Sequence, residues 1–176
     1  MKDLEIKRID ESYLSQIRDL EHNFISNNPG NHYTQDDDEF YSNSIFDNDG
    51  IILGVFDGKT LVGISASFKL SSYEYADYFK DLYRSKLVKI KPEETIFFNN
   101  TLIHKNYRGR GLQAELRKKT IKFYNKKGFF NFISTASPGN VGSKKSLTRI
   151  GMRDLGEGTV PYSNNPKSLF YLYSYE

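Results

Sequence analysis

The sequence predicts a single mixed α/β domain, and three observations indicate it. β-rich runs and helical patterns follow one another in the order β-α-α-β-β-(α)-β-α-β-α-β-β. The length of 176 residues suits one compact domain with a core that folds without cross-links. No internal repeat, low-complexity tract or linker divides the chain, so we expect one domain over residues 1–176.

The first half of the chain predicts a strand, two helices and a hairpin. Glu11–Ser26 carries Leu14, Ile17, Leu20 and Phe24 at the spacing of one helical face. Asp-Gly between two β-rich runs is a strong hairpin signal. The elements expected here are strand Leu4–Asp10, helix Glu11–Ser26, a helix with Phe40, Tyr41, Ile45 and Phe46, strands Ile51–Phe56 and Thr60–Phe68 joined by Asp57-Gly58-Lys59, and a tyrosine-rich excursion at Ser71–Lys91.

The second half predicts two buried strands, each followed or preceded by a helix. Gly111–Lys127 is amphipathic, because apolar side chains alternate with lysines at helical spacing. Asn140 is suited to cap the helix that follows it. The elements expected here are strands Thr95–His104 and Phe129–Ala136, helices Gly111–Lys127 and Val141–Ile150, and a closing pair of strands, Met152–Val160 and Ser168–Tyr175.

The composition excludes several classes of protein. Because cysteine is absent, there is no disulfide framework, thiolate metal site or cysteine nucleophile. The histidines at 22, 32 and 104 are scattered, so no metal site is expected. Apolar runs are too short to cross a bilayer, and the first residues lack the apolar region of a signal peptide. We therefore expect a cytoplasmic protein that does not bind membranes.

Charge is distributed unevenly along the chain. Residues 1–100 hold 11 Lys/Arg and 18 Asp/Glu, a net charge of −7, whereas residues 101–176 hold 14 and 4, a net charge of +10. One interpretation is solvated faces of opposite sign. The other is that the second half holds an anion and the first half faces a cation.

The segment with the clearest chemical signal is Thr101–Ala114, TLIHKNYRGRGLQA. A buried strand runs into the turn Arg108–Gly111, and a helix starts there. Glycines let backbone amides approach a ligand closely, and the first amides of a helix attract phosphate. Lys105, Arg108 and Arg110 add positive charge at the same place. The pattern favours a diphosphate cradle built from backbone.

The glycine run alone is also compatible with a simpler structure. Gly109 and Gly111 could merely turn the chain, with the arginines on the surface. The run is not a P-loop, because it has no lysine at the helix start, and it is not the dinucleotide fingerprint, because G-x-G-x-x-G is incomplete.

At this point the sequence resembles the GNAT N-acetyltransferases. Their acetyl-CoA motif, R/Q-x-x-G-x-G/A, is matched at Arg108 and Gly111, and the chain departs from it at Gln113, where the family prefers Gly or Ala. A second family element is an Asn followed eleven residues later by Gly and a bulky residue. Here it is Asn140, followed by Gly151 and Met152.

The resemblance implies a fold and a cofactor. The fold is a mixed, mostly antiparallel sheet of six to seven strands flanked by helices, open between Thr95–His104 and Phe129–Ala136. Acetyl-CoA would be the co-substrate, with pantetheine entering the opening like an extra strand and the diphosphate on the helix start. The residues that the resemblance assigns to acetyl-CoA are Leu102, Ile103, Arg108, Gly109, Arg110, Gly111, Leu112, Gln113, Ala114 and Asn140.

The resemblance also implies direct transfer of the acetyl group to a primary amine of a small molecule or peptide. It leaves the catalytic residues open. The family's acid is often a Tyr seven residues after the Asn, and that position is Leu147. No carboxylate stands at the usual base positions, which hold Asn99, Asn100 and Thr135. His104 is expected at the surface, and the candidate tyrosines of the C-terminal hairpin are Tyr162, Tyr171 and Tyr173.

The acceptor and the partners follow from weaker signals. The acidic first half, with the run at 36–39, suggests a cationic amine as acceptor, although such a run is also typical of a solvated helix start. The first alternative function is a non-catalytic acyl-CoA-binding module that lost its acid at Leu147. The second is a nucleic-acid-binding domain using Arg117–Lys127, disfavoured because few exposed aromatics lie between its lysines. We therefore expect no nucleic acid partner, and a homodimer is one expectation because the family often dimerises.

Overall fold

One seven-stranded sheet organises the molecule. The computed structural model describes residues 4–27, 37–42, 50–69, 92–159 and 167–174. Strand order is β1-β2-β3-β4-β5-β7-β6, and every neighbouring pair is antiparallel except the parallel pair β4 and β5. The prediction of a mixed, mostly antiparallel sheet is confirmed. The strands are β1 (Glu5–Ile9), β2 (Ile51–Asp57), β3 (Thr60–Lys69), β4 (Thr95–Ile103), β5 (Asn131–Ala136), β6 (Arg153–Thr159) and β7 (Lys167–Ser174).

Four α-helices accompany the sheet in the described ranges. A 3₁₀ turn at Glu11–Tyr13 leads into α1, and each longer helix begins and ends within three residues of its prediction. The predictions for Ile45, Phe46 and Ser71–Lys91 lie outside the described residues. No described helix has the length and apolarity that crossing a membrane requires. The helices are α1 (Leu14–Ser26), α2 (Asp38–Phe40), α3 (Leu112–Asn125) and α4 (Val141–Arg149).

The sheet is covered on both faces, and this explains why β2 and β3 are buried along nearly their whole length. Successive strand residues point to opposite faces, so Phe97 joins the core under α1 while its neighbours Ile96 and Phe98 join the core under α3 and α4. The helices contribute Ile17 and Leu20 to the first core and, to the second, Leu116, Tyr124 and Leu147.

The predicted hairpin forms between β2 and β3. Asp57 pairs with Thr60, so the loop has two residues, Gly58 and Lys59. Gly58 has φ 61°, a left-handed conformation that glycine adopts without strain. Two-residue hairpin loops need this backbone sign at their first position, which Gly58 provides. The hairpin predicted at Asp57-Gly58-Lys59 therefore forms, with Asp57 as the last residue of β2.

The acidic residues before Phe40 have structural roles. Asp37 caps α2 by accepting a hydrogen bond from the Phe40 amide at 2.7 Å. Arg18 of α1 binds Asp38 and also Glu21, at 2.7 and 2.6 Å. Glu21 is completely buried, so Arg18 provides the charge partner that burial demands. These bonds attach α2 to α1.

Candidate functional site

The sheet opens between its two parallel strands. β4 and β5 pair from Thr95 and Asn131 to Phe98 and Ser134, and both strands then continue without pairing to each other. At the same level the β3–β4 register shifts between Ser65 and Ser67, where one residue of β3, Ala66, lies opposite two of β4, Asn99 and Asn100. Such a bulge bends a strand, so β4 diverges from β5 beyond Phe98.

The β3–β4 register determines which backbone groups of β4 face this opening. The His104 amide donates to Val62 O at 2.9 Å, and hydrogen-bonded pairs alternate along an antiparallel ladder. Leu102, opposite Ile64, therefore turns its amide and carbonyl toward β3. Thr101 and Ile103 turn theirs toward the opening. The prediction that Ile103 contacts acetyl-CoA fits this geometry, whereas the backbone groups of Leu102 face β3 and those of Thr101 face the opening.

The start of α3 follows β4 after a short loop and carries backbone donors without intrahelical acceptors. Gly109 and Gly111 have φ 78° and 79°, and Gly111 is the N-cap without a side-chain cap. The first intrahelical bond runs from the Glu115 amide to Gly111 O at 3.1 Å. The amides of the three residues between them, 112–114, precede that bond and lie at the positive end of the helix dipole.

The surface over this helix start is open. Among the described residues, a Cβ built on Gly109 meets nothing within 4 Å, and one built on Gly111 meets only Arg149 Nη1, at 3.4 Å. The side chains of Leu112 and Ala114 are buried in the core under α3. Only the backbone of these residues can therefore serve a ligand, and the arrangement fits an anionic phosphate group.

The two arginines of the motif shape the loop. Arg108 Nε donates to Ile103 O at 3.1 Å, and its guanidinium lies over the Phe24 ring at 4.8 Å. Arg110 donates to Asn106 O at 3.1 Å and lies over the Tyr107 ring at 5.0 Å. Both guanidinium groups already have protein partners, so the positive charge of Arg108 is directed toward α1 rather than toward the helix start.

Two further contacts attach residues 104–111 to the rest of the protein. Tyr107 Oη donates to Asp57 at 2.6 Å, and this bond to a carboxylate raises the pKa of Tyr107. Lys105 Nζ donates to Asn27 Oδ1 at 3.1 Å, next to the end of α1. The loop is thus held to the hairpin on one side and to α1 on the other.

Arg149 is a residue that sequence reasoning missed. It stands in the last turn of α4, and its Nη1 lies at the Gly111 end of α3. The packing of α4 beside α3 brings an exposed cation to the helix start. The only sequence signal was a basic residue nine positions after Asn140, which cannot be distinguished from a surface arginine without the helix pairing.

Gln113 occupies a position that the family motif reserves for a small residue. Its side chain extends from the first turn of α3, and Nε2 donates to Thr101 O at 3.3 Å. Thr101 O is one of the backbone groups that face the opening. The carboxamide of Gln113 therefore lies at the edge of β4, inside the gap in the sheet.

Asn140 is the N-cap of α4, as predicted. Its Oδ1 accepts a hydrogen bond from the Ser143 amide at 3.0 Å. This bond fixes the start of α4 directly after β5, at the far side of the opening. Contact between Asn140 and acetyl-CoA stays a prediction.

The residues with candidate acid–base roles are mostly structural. Leu147 is completely buried in the core under α4. His104 is half-buried, and its Nδ1 accepts from the Asn106 amide at 3.3 Å, which caps the short turn after β4. Asn99 and Asn100 lie at the bulge of β4, and Thr135 lies on β5 beyond the last paired residue.

Two of the three candidate tyrosines lie on β7. Tyr171 is buried, and burial together with the nearby Asp154 raises its pKa. Tyr173 is half-buried, with its ring 6.1 Å from that of Phe132 and 3.6 Å from the Cβ position of Gly151. Tyr162 lies outside the described residues. These positions assign no tyrosine to proton transfer.

Arg117 does not belong to the exposed basic face of α3. It is 4% exposed and donates from Nη1 to Ser146 Oγ of α4 at 2.8 Å. Its Nε has no hydrogen-bond partner among the described residues. The nucleic-acid alternative counted Arg117 in its binding face, and burial removes it. Lys118 and Lys122 are exposed as predicted.

No protein-family model and no curated protein sequence matches the chain. Solved structures do match. A GCN5-related N-acetyltransferase from Kribbella flavida superposes with a TM-score of 0.71 at 14% identity over 98% of each chain.

Two further structures resemble the chain to the same degree. The ribosomal-protein-S18-alanine N-acetyltransferase from Escherichia coli gives a TM-score of 0.70 at 10% identity, covering 98% of this chain and 94% of that one. An aminoglycoside acetyltransferase in complex with coenzyme A and kanamycin gives 0.70 at 12% identity, covering 98% and 95%. The chain therefore has the fold of the GNAT N-acetyltransferases, as its resemblance predicted.

Proposed function

We propose that this protein is an acetyl-CoA-dependent N-acetyltransferase that moves the acetyl group directly to a primary amine. The observation that carries the proposal is the gap between β4 and β5 beyond Phe98 and Ser134, which opens beside the uncapped start of α3. The same fold holds coenzyme A in the aminoglycoside acetyltransferase. Acetyl-CoA would supply an activated thioester, and the protein's part is to bind and orient it.

Different residues around the gap would bind different parts of acetyl-CoA. Residues 109–114 would bind the diphosphate through backbone amides, with Arg149 adding charge from α4. Thr101 and Ile103 would align the pantetheine arm, because their backbone groups face the opening. The Ile103 amide would also polarise the thioester carbonyl. Asn140 borders the far side of the gap and would contact the same arm.

The acceptor is proposed only as an amine. The structural neighbours include an enzyme named for a protein alanine and one in complex with kanamycin, so this fold serves acceptors of very different size. In the described part of the acidic run, Asp37 caps α2 and Asp38 binds Arg18. A cationic acceptor therefore has less support than the charge balance alone suggested.

Calorimetric titration with coenzyme A tests the cradle. Gly111→Asp sets a carboxylate against the diphosphate. At about 4 Å and an effective dielectric of about 20, the repulsion is about 4 kcal/mol, or roughly 1,000-fold in affinity. Gly128→Asp is the matched control, because Gly128, at the other end of α3, also has positive φ, 86°, and no atom of the described residues lies within 4 Å of its Cβ position. Equal affinity for both variants would mean that the cradle lies elsewhere.

A non-catalytic acyl-CoA-binding module is the second candidate. The burial of Leu147 favours it, because the position at which the family often has an acid is used here for packing. Both candidates bind coenzyme A, and an assay of free thiol released from acetyl-CoA with a panel of amines separates them. Thiol release above the amine-free rate supports the transferase, and its absence across neutral, cationic and peptide amines supports the module.

A further inference from the structure

The carbonyl groups of β4 that face the opening are already engaged by the protein's own side chains. Thr101 O accepts from Gln113 Nε2 at 3.3 Å, and Ile103 O accepts from Arg108 Nε at 3.1 Å. The two side chains differ in how many other contacts hold them in place. Arg108 is also packed on Phe24 of α1, whereas the half-buried Gln113 side chain bonds only to Thr101 O within the described part of the chain.

The hydrogen bond from Gln113 to Thr101 O is of the same kind as the hydrogen bond that a ligand amide would make there. A primary carboxamide N–H donates to a strand carbonyl in the same way as the amide N–H of an extended ligand that adds to the strand edge. A ligand with amide groups that enters between β4 and β5 needs Thr101 O as an acceptor. Since Gln113 Nε2 already approaches Thr101 O from the side of the opening, such a ligand would have to displace it.

We propose that Gln113 is an internal competitor of the pantetheine arm, whose carboxamide must leave Thr101 O before acetyl-CoA binds fully. This inference rests on the proposed function. It assigns Gln113, one of the residues expected to favour cofactor binding, the opposite effect through its side chain. The side chain lowers affinity for the pantetheine part of the ligand and leaves affinity for the diphosphate part unchanged.

The test compares two ligands on two variants. Coenzyme A carries pantetheine, and adenosine 3′-phosphate 5′-diphosphate carries the same nucleotide and diphosphate without it. Gln113→Ala is expected to tighten coenzyme A binding about three- to tenfold, the effect of one net hydrogen bond, and to leave the affinity for the nucleotide unchanged. Gln113→Met, which keeps the length of the side chain but cannot donate, should tighten coenzyme A binding in the same direction.

The control is another glutamine that bonds to a strand backbone away from the opening. Gln16 Oε1 accepts from the Leu61 amide at 3.2 Å, so Gln16→Ala removes a comparable contact and should not change either affinity. Weaker or unchanged coenzyme A binding by Gln113→Ala overturns the inference, as does equal tightening of both ligands. If neither the wild-type chain nor Gln113→Ala binds either ligand, the proposed function itself fails, and the inference fails with it.

Discussion

Replacing Arg117 with methionine should stabilise the protein. Burial lowers the pKa of the Arg117 guanidinium from its ordinary value to about 10, and desolvation is the only cause. Because one pKa unit corresponds to about 1.4 kcal/mol, keeping this charge in the core costs about 3 kcal/mol. Among the described residues, Nε has no hydrogen-bond partner to offset that cost. Methionine is unbranched and fills irregular apolar space at similar length.

Arg117→Met also removes the hydrogen bond from Nη1 to Ser146 Oγ at 2.8 Å, which stabilises the wild-type protein. Because the donor is a charged group, losing that bond and leaving a nearly buried hydroxyl unpaired costs about 1.5–3 kcal/mol. The net gain is therefore up to about 1.5 kcal/mol, which raises Tm by up to roughly 6 °C in a domain of this size. Arg117→Met combined with Ser146→Ala should gain more, because no partner is then left unpaired.

Thermal and urea unfolding measure the effect. Lys118→Met, on the exposed face of the same helix, is the control and should change the free energy of unfolding by less than about 0.5 kcal/mol. A lower Tm for Arg117→Met would refute the reasoning. It would mean that the guanidinium has an anionic partner whose attraction exceeds the cost of burial.

Three further predictions concern single hydrogen bonds. Tyr107→Phe removes the bond to Asp57 and should lower Tm. That bond raises the pKa of Tyr107 above its ordinary value of 10. The difference in Tm between Tyr107→Phe and wild type should therefore be fully present below pH 10 and disappear as pH rises through the raised pKa. A Tm difference that persists at higher pH would contradict this. Tyr41→Phe removes a 2.8 Å bond to the buried carboxylate of α1 and should cost about 1.5–3 kcal/mol in urea unfolding, and a loss below about 0.5 kcal/mol would show that the bond does not matter. Asn140→Ala should lower the free energy of unfolding by about 1 kcal/mol, because it removes the cap of α4. Asn140→Asp should keep the cap and weaken only coenzyme A binding. If calorimetry shows that Asn140→Asp binds coenzyme A like wild type, the residue serves only as a helix cap.

The strands were predictable because their apolar runs define them locally. Thr95–His104 was expected and Thr95–Ile103 is found, and the turn at Gly58 followed from its dipeptide. The direction of each backbone group in β4 was not predictable. It depends on the register with β3 and on a bulge near Asn99, and a shift of one residue exchanges the two sides of a strand. The sequence therefore provided no means of telling that the backbone groups of Leu102 face β3 and that those of Thr101 face the opening.

Charged side chains were the least predictable part of the site. The sequence shows that Arg108 and Arg117 are basic, but not that one packs on an aromatic ring and the other is buried between helices. Arg149 reaches Gly111 only because α3 and α4 pack side by side. Such contacts join residues far apart in the chain, so no local pattern reports them.

The loop between β4 and α3 is fastened at several points, and this affects how a ligand binds. Lys105, Tyr107 and Arg108 each bond or stack outside the loop, on the hairpin or on α1 and the residue after it. Ordering a free residue costs about 1–2 kcal/mol, and here folding has already met that cost. An anion that binds at the start of α3, as proposed, would meet a loop already held in place, so its association rate should follow diffusion and ionic strength rather than a slow rearrangement of the backbone.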